Sequence, residues 1–368
     1  MKILISRKDL RDTTSGVPKK VLQELQFFSQ QGHEAFAIAE TMNVPMIEEF
    51  GGKAVKTFRW PFSGYFRRKF YSQRVDAWIK KHRPHLVIGH GDILHQDILF
   101  IHNCVHLAHE LIEATPLPSE HEVGKIHHAI FKEGSYKLLI CNSQMMKNDL
   151  VKRFQVDPEK AVVIYPEVNL AKFKVADPES IKKEWRSKFG FAEDDFVIGL
   201  VTSGNFKKRN LGLLIQAYKE MRKENPKAKL FIAGGNIDQK YKDQAPSEGV
   251  VFAPPIIDVK NYYYLLDVFV LPAHIEEFGR SVLEAMFCGV PVITTKHVGA
   301  SEILEGPGRE FIMDRPTLPL LVELLKKLMD KHLAQEISHL NQKTSLKYSS
   351  DIQNSTFGET LKKFGFHV

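Results

Sequence analysis

Short apolar runs rich in β-branched residues alternate with longer amphipathic stretches along almost the whole chain. KILIS, the segment Lys19 to Gln31 closed by Gly32, and EAFAIAE predict strand, helix and strand in succession. LVIG, ILFIH, KLLIC and AVVIY carry the series to residue 165. After a polar interval, DDFVIGLV, KLFIAGG, VVFA, DVFVLP and VPVITT repeat it, with amphipathic helices such as Leu211 to Asn225 between them. Such alternation predicts a parallel sheet covered by helices on both faces. Two series in one α/β chain predict two doubly wound, Rossmann-like domains. The join falls between about Tyr165 and Trp185, where AVVIY stops at Pro166 and a charged helical segment precedes the second series. We therefore expect domains over 1–170 and 171–350, followed by a tail over 351–368. In that tail Ile352, Phe357, Leu361 and Phe364 have helical spacing and need a surface to cover them.

The length of 368 residues suits two domains, and 43% hydrophobic with 26% charged residues is ordinary for a soluble protein. No apolar run is long enough to span a bilayer, and MKILISRKDL is too polar for a secretory signal. Three widely spaced cysteines, Cys104, Cys141 and Cys288, predict a reduced, cytoplasmic protein without a disulfide framework. Charge says more. The formal net charge is +7, yet Lys53 to Arg83 alone holds ten Lys and Arg against the single acid Asp76. A patch of that kind attracts phosphates on a nucleic acid, a membrane surface or an anionic acceptor.

The segment richest in chemistry is HIEEFGRSVLEAMFCGVPVITT, residues 274 to 295. DVFVLP ends at Pro272, a loop follows, a helix begins near Gly279, and Gly289 with Pro291 stops it. Glu276 lies in the loop at the carboxyl end of a strand, where open α/β sheets bind ligands. Glu284 lies within the apolar helix formed by Val282, Leu283, Ala285, Met286 and Phe287. A carboxylate there needs hydrogen-bond donors, and the two hydroxyls of a ribose match its two oxygens. The free N–H groups around Phe278, Gly279, Arg280 and Ser281 form a site for an anionic phosphate.

The E-x7-E spacing within EEFGRSVLEAMFCGVPVIT resembles the signature of the family 4 retaining glycosyltransferases, with Glu277 where that family usually has glycine. FVIGLVTSGNFKKRNLGLLIQAY, residues 196 to 218, is similar to the family's loop whose bases neutralise the donor diphosphate. Arg209 stands at the usual lysine, Lys208 beside it, Asn210 at the usual glycine, and Gly204 in the region of an arginine that is commonly found earlier. This loop variant resembles that of bacterial lipopolysaccharide-core glycosyltransferases. The resemblance implies a GT-B fold, two Rossmann-like domains facing across a cleft, with the C-terminal helix returning to the N-terminal domain. It also implies transfer with retention, from a nucleotide diphosphate sugar, without cofactor or metal. In that reading Lys208 and Arg209 stabilise the leaving diphosphate, because positive charge belongs where negative charge develops. Glu276 positions the sugar and Glu284 holds the ribose.

The first half then supplies the acceptor side. DTTSGVPKKVLQELQFFSQQGHE resembles the family's first loop and helix, with Ser15-Gly16 in place of a glycine pair, and Gly16 lets a ligand approach the backbone. ILFIHN matches the family's strand ending in His-Asp, which implies that His102 contacts the transferred sugar; His90, after LVIG, is a second candidate of the same kind. His102, Cys104, His106 and His109 also have spacing that suits zinc, but a strand ending at His102 breaks the shared face, and we expect no metal site. Asp194-Asp195 reads as a turn rather than a metal-binding pair.

In the basic stretch, Trp60, Phe62, Tyr65, Phe66, Phe70 and Trp78 are interleaved with Arg59, Arg67, Arg68 and Lys69. Rings with bases suit an anionic inner-membrane surface or a glycolipid acceptor, and a helix packed on the sheet with solvated charges gives the same pattern. RNA fits it less well. The expected partners are thus a nucleotide-sugar donor, UDP-linked by preference, and an anionic glycan or glycolipid acceptor such as a lipopolysaccharide core. Residues 53–83 are the candidate surface for the cytoplasmic membrane face or for that acceptor, and no nucleic acid is expected. A nucleotide-sugar epimerase or hydrolase of the same build, and a non-catalytic binder of anionic surfaces, remain as alternatives. A dehydrogenase is disfavoured, since no GxGxxG follows the first strand.

Overall fold

The computed structural model describes residues 1–11 and 16–368. Ser15, named above with Gly16, lies outside the described residues. The chain divides into two compact units, one formed by Met1–Ile164 with Asn354–Val368 and the other by Tyr165–Gln353. The divisions fall at 164/165 and 353/354, against 170/171 and 350/351 read from the sequence.

Among the described residues the main sheet of the N-terminal unit holds seven strands: β1 (Lys2–Ser6), β2 (Glu34–Ala39), β3 (Lys53–Lys56), β4 (Leu86–Gly89), β5 (Ile98–Phe100), β6 (Leu138–Cys141) and β7 (Ala161–Val163). They pair in parallel in the order β3-β2-β1-β4-β5-β6-β7. β4 and β6 are buried at every position, as a parallel sheet covered on both faces requires. Helix α1 (Gly16–Gln30) lays Val21, Leu22, Leu25 and Phe28 on the sheet, and Gly32, at a φ of 77°, turns the chain into β2. Helix α2 (Tyr65–His82) buries Tyr71 and Val75, and α3 (Glu122–Glu133) buries Ile126, His127 and Ile130. β3 escapes the alternation pattern because it is an edge strand flanked by two lysines, a composition that discourages further pairing.

The C-terminal unit repeats the plan with six strands: β8 (Phe196–Val201), β9 (Ala228–Ala233), β10 (Val250–Ala253), β11 (Val268–Leu271), β12 (Val292–Thr295) and β13 (Ile312–Met313). Their parallel order is β10-β9-β8-β11-β12-β13. Helix α4 (Leu211–Glu224) and helix α5 (Arg280–Phe287) follow β8 and β11 respectively. Among the described residues no helix is long and apolar enough to cross a membrane.

The tail forms α6 (Ser350–Lys363). From Asn354 onward it belongs to the N-terminal unit, where Phe357 packs 5.4 Å from Phe27, 6.1 Å from Phe28 and 6.1 Å from Phe100, measured between ring centres. Ile352 does not share this face: it is 46% exposed, because it lies in the first turn, ahead of the point where the chain enters the N-terminal unit. Phe366, beyond the helix, is buried with Phe357 and Leu361 instead. Truncating Phe357 to alanine leaves a cavity under α1, and Phe357→Ala should cost about 3–5 kcal/mol, read as a lower denaturation midpoint of the N-terminal unit.

Candidate functional site

In each sheet the strand order reverses beside the first strand, so the loops leaving two neighbouring strands run in opposite directions and a crevice opens at their carboxyl ends. In the C-terminal unit the neighbours are β8 and β11, and their loops carry the residues singled out above. Lys208 Nζ lies 2.6 Å from Glu277 Oε2, and Arg209 Nη2 lies 3.0 Å from Glu276 Oε2. Arg209 also donates to the carbonyl of Gly204 at 2.6 Å, and the backbone N–H of His274 to that of Lys208 at 3.0 Å. Two cations and two carboxylates, all mostly buried, therefore form one compensated cluster.

The local backbone explains two departures in sequence. Asn210 is left-handed, with a φ of 54°, and asparagine is the residue besides glycine that takes this conformation most readily. Glu277 holds Lys208, a contact that a glycine there cannot make. Gly279 caps α5 at a φ of 90°, and a Cβ on it would meet Val298 at 3.0 Å, so this position requires glycine.

Glu284 on α5 is half-buried and accepts a hydrogen bond of 2.7 Å from the hydroxyl of Tyr263. Burial and the adjoining carboxylate raise the Tyr263 pKa well above the ordinary range, so this hydroxyl stays a donor. Tyr263 carries no signal in the sequence; only the fold brings it to Glu284. The ring of Phe278 is buried against Tyr165 and its carbonyl accepts from Ala300 N–H at 2.7 Å, so the N–H named above is the group it has to offer a phosphate. Arg280 lies 3.9 Å from Glu167.

In the N-terminal unit the reversal lies between β1 and β4. A cavity of about 150 Å³ opens there, lined by Arg7, Arg68, His90, His102 and His127 among others. Arg7 bonds Asp92 at 2.9 Å and Arg68 bonds it at 2.6 Å; the two guanidinium groups hold this buried carboxyl below its usual range against the opposing effect of burial. Gly16 opens α1, where a Cβ would meet nothing within 4 Å. β5 stops at Phe100, so His102 stands in the following loop, with Nε2 2.8 Å from Nδ1 of His90. The other metal candidates diverge: His106 packs on His128 and Phe154, and His109 bonds the carbonyl of Thr115. Among the described residues no three His, Cys, Asp or Glu side chains come together as a cage for a metal ion. Asp195 accepts from Ala192 N–H in a turn.

The basic stretch needs correction. Arg67 is held by Glu40, and Arg68 by Asp92 and Glu122, so neither is free to meet lipid or ligand phosphates in the way the sequence suggested. Phe58, Phe62 and Phe66 stand exposed at 60%, 69% and 78%, with Arg59 and Lys69 exposed beside them.

Both halves match known family models. Residues 14–172 match the model described as Glycosyltransferase Family 4, and residues 181–344 match that described as Glycosyl transferases group 1. The chain therefore belongs to the glycosyltransferases of GT-B architecture. The capsular polysaccharide biosynthesis glycosyltransferase CapM of Staphylococcus aureus is 32% identical over 43% of this chain and 44% of that protein. A D-inositol 3-phosphate glycosyltransferase of Streptomyces bingchenggensis is 25% identical over 65% of this chain and 58% of that protein. The chain thus aligns with less than two thirds of the length of these curated relatives. The same fold occurs in WaaG, a glycosyltransferase involved in lipopolysaccharide biosynthesis, at 17% identity and a TM-score of 0.77 over 97% of this chain and 99% of that one. It also occurs in Anabaena HepE in complex with UDP and glucose, at 18% identity and a TM-score of 0.75 over 99% of this chain and 100% of that one.

Burial of two histidines in the N-terminal unit has a consequence for pH. It lowers the pKa of His106 to about 4 and that of His127 to about 3. Both stay neutral in the fold while their unfolded forms take up protons below roughly pH 6.5. The unfolded state binds more protons there, so stability falls as pH falls from about 6.5 toward 4.5. Denaturation midpoints measured across that window should decline, and His127→Gln should flatten the decline.

Proposed function

We propose that the protein is a retaining, metal-independent glycosyltransferase that moves a hexose from a nucleotide diphosphate sugar to a saccharide acceptor. The observation that carries this reading is the compensated cluster of Lys208, Arg209, Glu276 and Glu277 at the crevice of the C-terminal sheet. A bound diphosphate replaces carboxylates as the counter-ion of Lys208 and Arg209, which frees Glu276 and Glu277 for sugar hydroxyls. The helix start at Gly279 adds N–H donors toward the same phosphates. These groups supply the positive charge that the leaving diphosphate needs. Glu284, steadied by Tyr263, takes the ribose. The departing phosphate accepts the acceptor's proton, so the step balances without an enzymic base. UDP is the favoured nucleotide, because the HepE structures of the same fold hold UDP, glucose and UDP-glucose.

The acceptor, a glycan or glycolipid of lipopolysaccharide-core type, is assigned to the N-terminal cavity, where His102 contacts sugar. We further assign Phe58, Phe62 and Phe66, with Arg59, Trp60 and Lys69, to the cytoplasmic face of a membrane. Exposed rings enter the interface while bases meet anionic headgroups.

Two measurements test this. UDP-glucose incubated with the protein in EDTA should release UDP, faster when a core oligosaccharide is added. Arg209→Ala should lower kcat on the order of a hundredfold, and Glu284→Ala should mainly raise the KM for donor. Activity restored only by divalent metal removes the metal-independent reading, and full-rate consumption without acceptor favours an epimerase or hydrolase. Separately, sedimentation with vesicles containing phosphatidylglycerol should carry the protein down, and replacing Phe58, Phe62 and Phe66 by serine should leave it in the supernatant. Equal binding by the variant refutes the membrane assignment.

A further inference from the structure

Glu277 stands where the family usually has glycine, so its carboxylate belongs to this chain rather than to the reaction. The backbone around it is held in place. The N–H of Glu276 donates to the carbonyl of His297 at 2.9 Å, and the N–H of Gly299 donates to that of Glu276 at 2.9 Å. The N–H of Ala300 donates to the carbonyl of Phe278 at 2.7 Å, and the Phe278 ring is buried. Both neighbours of Glu277 are thus laced to the segment 297–300, and its side chain turns only about its own bonds. That side chain is 9% exposed, and the side chain of Lys208, its partner at 2.6 Å, is 16% exposed.

A donor changes the balance of charge at this point. Lys208 and Arg209 face one carboxylate each. A nucleotide diphosphate sugar brings a negative charge on each phosphate, and in the reading above these take over the two cations. Glu276 and Glu277 then lie beside an anionic ligand with less compensation than before. A carboxylate so placed costs free energy unless hydrogen-bond donors reach it. Sugar hydroxyls are such donors. A uronic acid, whose C6 is itself a carboxylate, brings one hydroxyl fewer and adds a negative charge that both glutamates repel. With glycine at 277, Glu276 alone would oppose it.

The other charges near the loop do not reverse this. Arg280 lies 3.9 Å from Glu167, and Lys296 lies 3.1 Å from Asp314. Lys207 is exposed, where solvent and salt screen it. Burial lowers the pKa of His297, so that ring adds no positive charge at neutral pH.

We propose that Glu277 is a specificity-determining residue that restricts the donor to sugars without an acidic group and excludes uronic acids. The proposal rests on the donor-site reading above, in which the diphosphate meets Lys208 and Arg209. The test is calorimetric titration of the full-length protein at pH 7.5, in EDTA, with UDP, UDP-glucose and UDP-glucuronic acid. The two sugar nucleotides share the UDP part, so the ratio of their Kd values isolates the sugar. At the effective dielectric of a partly buried site, one like charge about 10 Å away already weakens binding on the order of tenfold. Wild type should therefore bind UDP-glucuronic acid on the order of tenfold or more weakly than UDP-glucose. Glu277→Gln keeps the size of the side chain and an oxygen for Lys208, and should bring the two Kd values within about threefold. Glu277→Asp keeps the charge and should keep the discrimination. Equal affinities in wild type, or tighter binding of the uronic acid, overturn the proposal whether or not the variants fold. A ratio left unchanged by Glu277→Gln overturns it as well. Wild type that binds none of the three ligands removes the donor site itself, and the proposed function with it.

Discussion

A parallel sheet has to be covered on both of its faces, and the fold of each unit follows from that demand. The chain lays strands outward from the first one in one direction, then returns to build outward in the other. Where the direction reverses, the loops part. Ordered backbone ends there without a neighbour to fill the gap, and charged side chains can enter from both sides. In the N-terminal unit the loops after β1 and β4 place Arg7 and Asp92 together; in the C-terminal unit those after β8 and β11 place Arg209 beside Glu276.

Both crevices solve the same electrostatic problem, yet they differ in what a ligand must do. Asp92 is buried between two guanidinium groups and serves as a fixed anchor for them. The carboxylates opposite Lys208 and Arg209 are exchangeable, because an incoming phosphate offers the same charge at the same distance range. Buried ion pairs of this kind contribute little net stability, so their value lies in holding side chains where a substrate can take over one partner.

The fold was readable from the alternation of apolar and amphipathic runs because burial on both sheet faces forces that pattern. The edge strands β3 and β13 were not, since a short strand at a sheet margin needs no continuous apolar run. The loop candidates Lys208, Arg209 and Glu276, and Glu284 in the short helix that follows, could be named from local sequence. Tyr263 could not: it looks like an ordinary residue of an amphipathic segment, and its role depends on a contact with Glu284 across the fold. Arg67 and Arg68 show the opposite failure. A basic run reads as solvent-facing, and the acids that capture these two side chains, Glu40, Asp92 and Glu122, lie far from them in sequence.

The N-terminal unit is discontinuous, and this orders events during synthesis. Phe28 and Phe100 leave the ribosome early, but their partner Phe357 is translated only after the entire C-terminal unit. Closing so long a loop adds entropic cost, and until it closes the apolar face of α1 lacks its cover. The C-terminal unit, whose residues are contiguous, can therefore complete its core first, and the half of the molecule made first is the last to be finished.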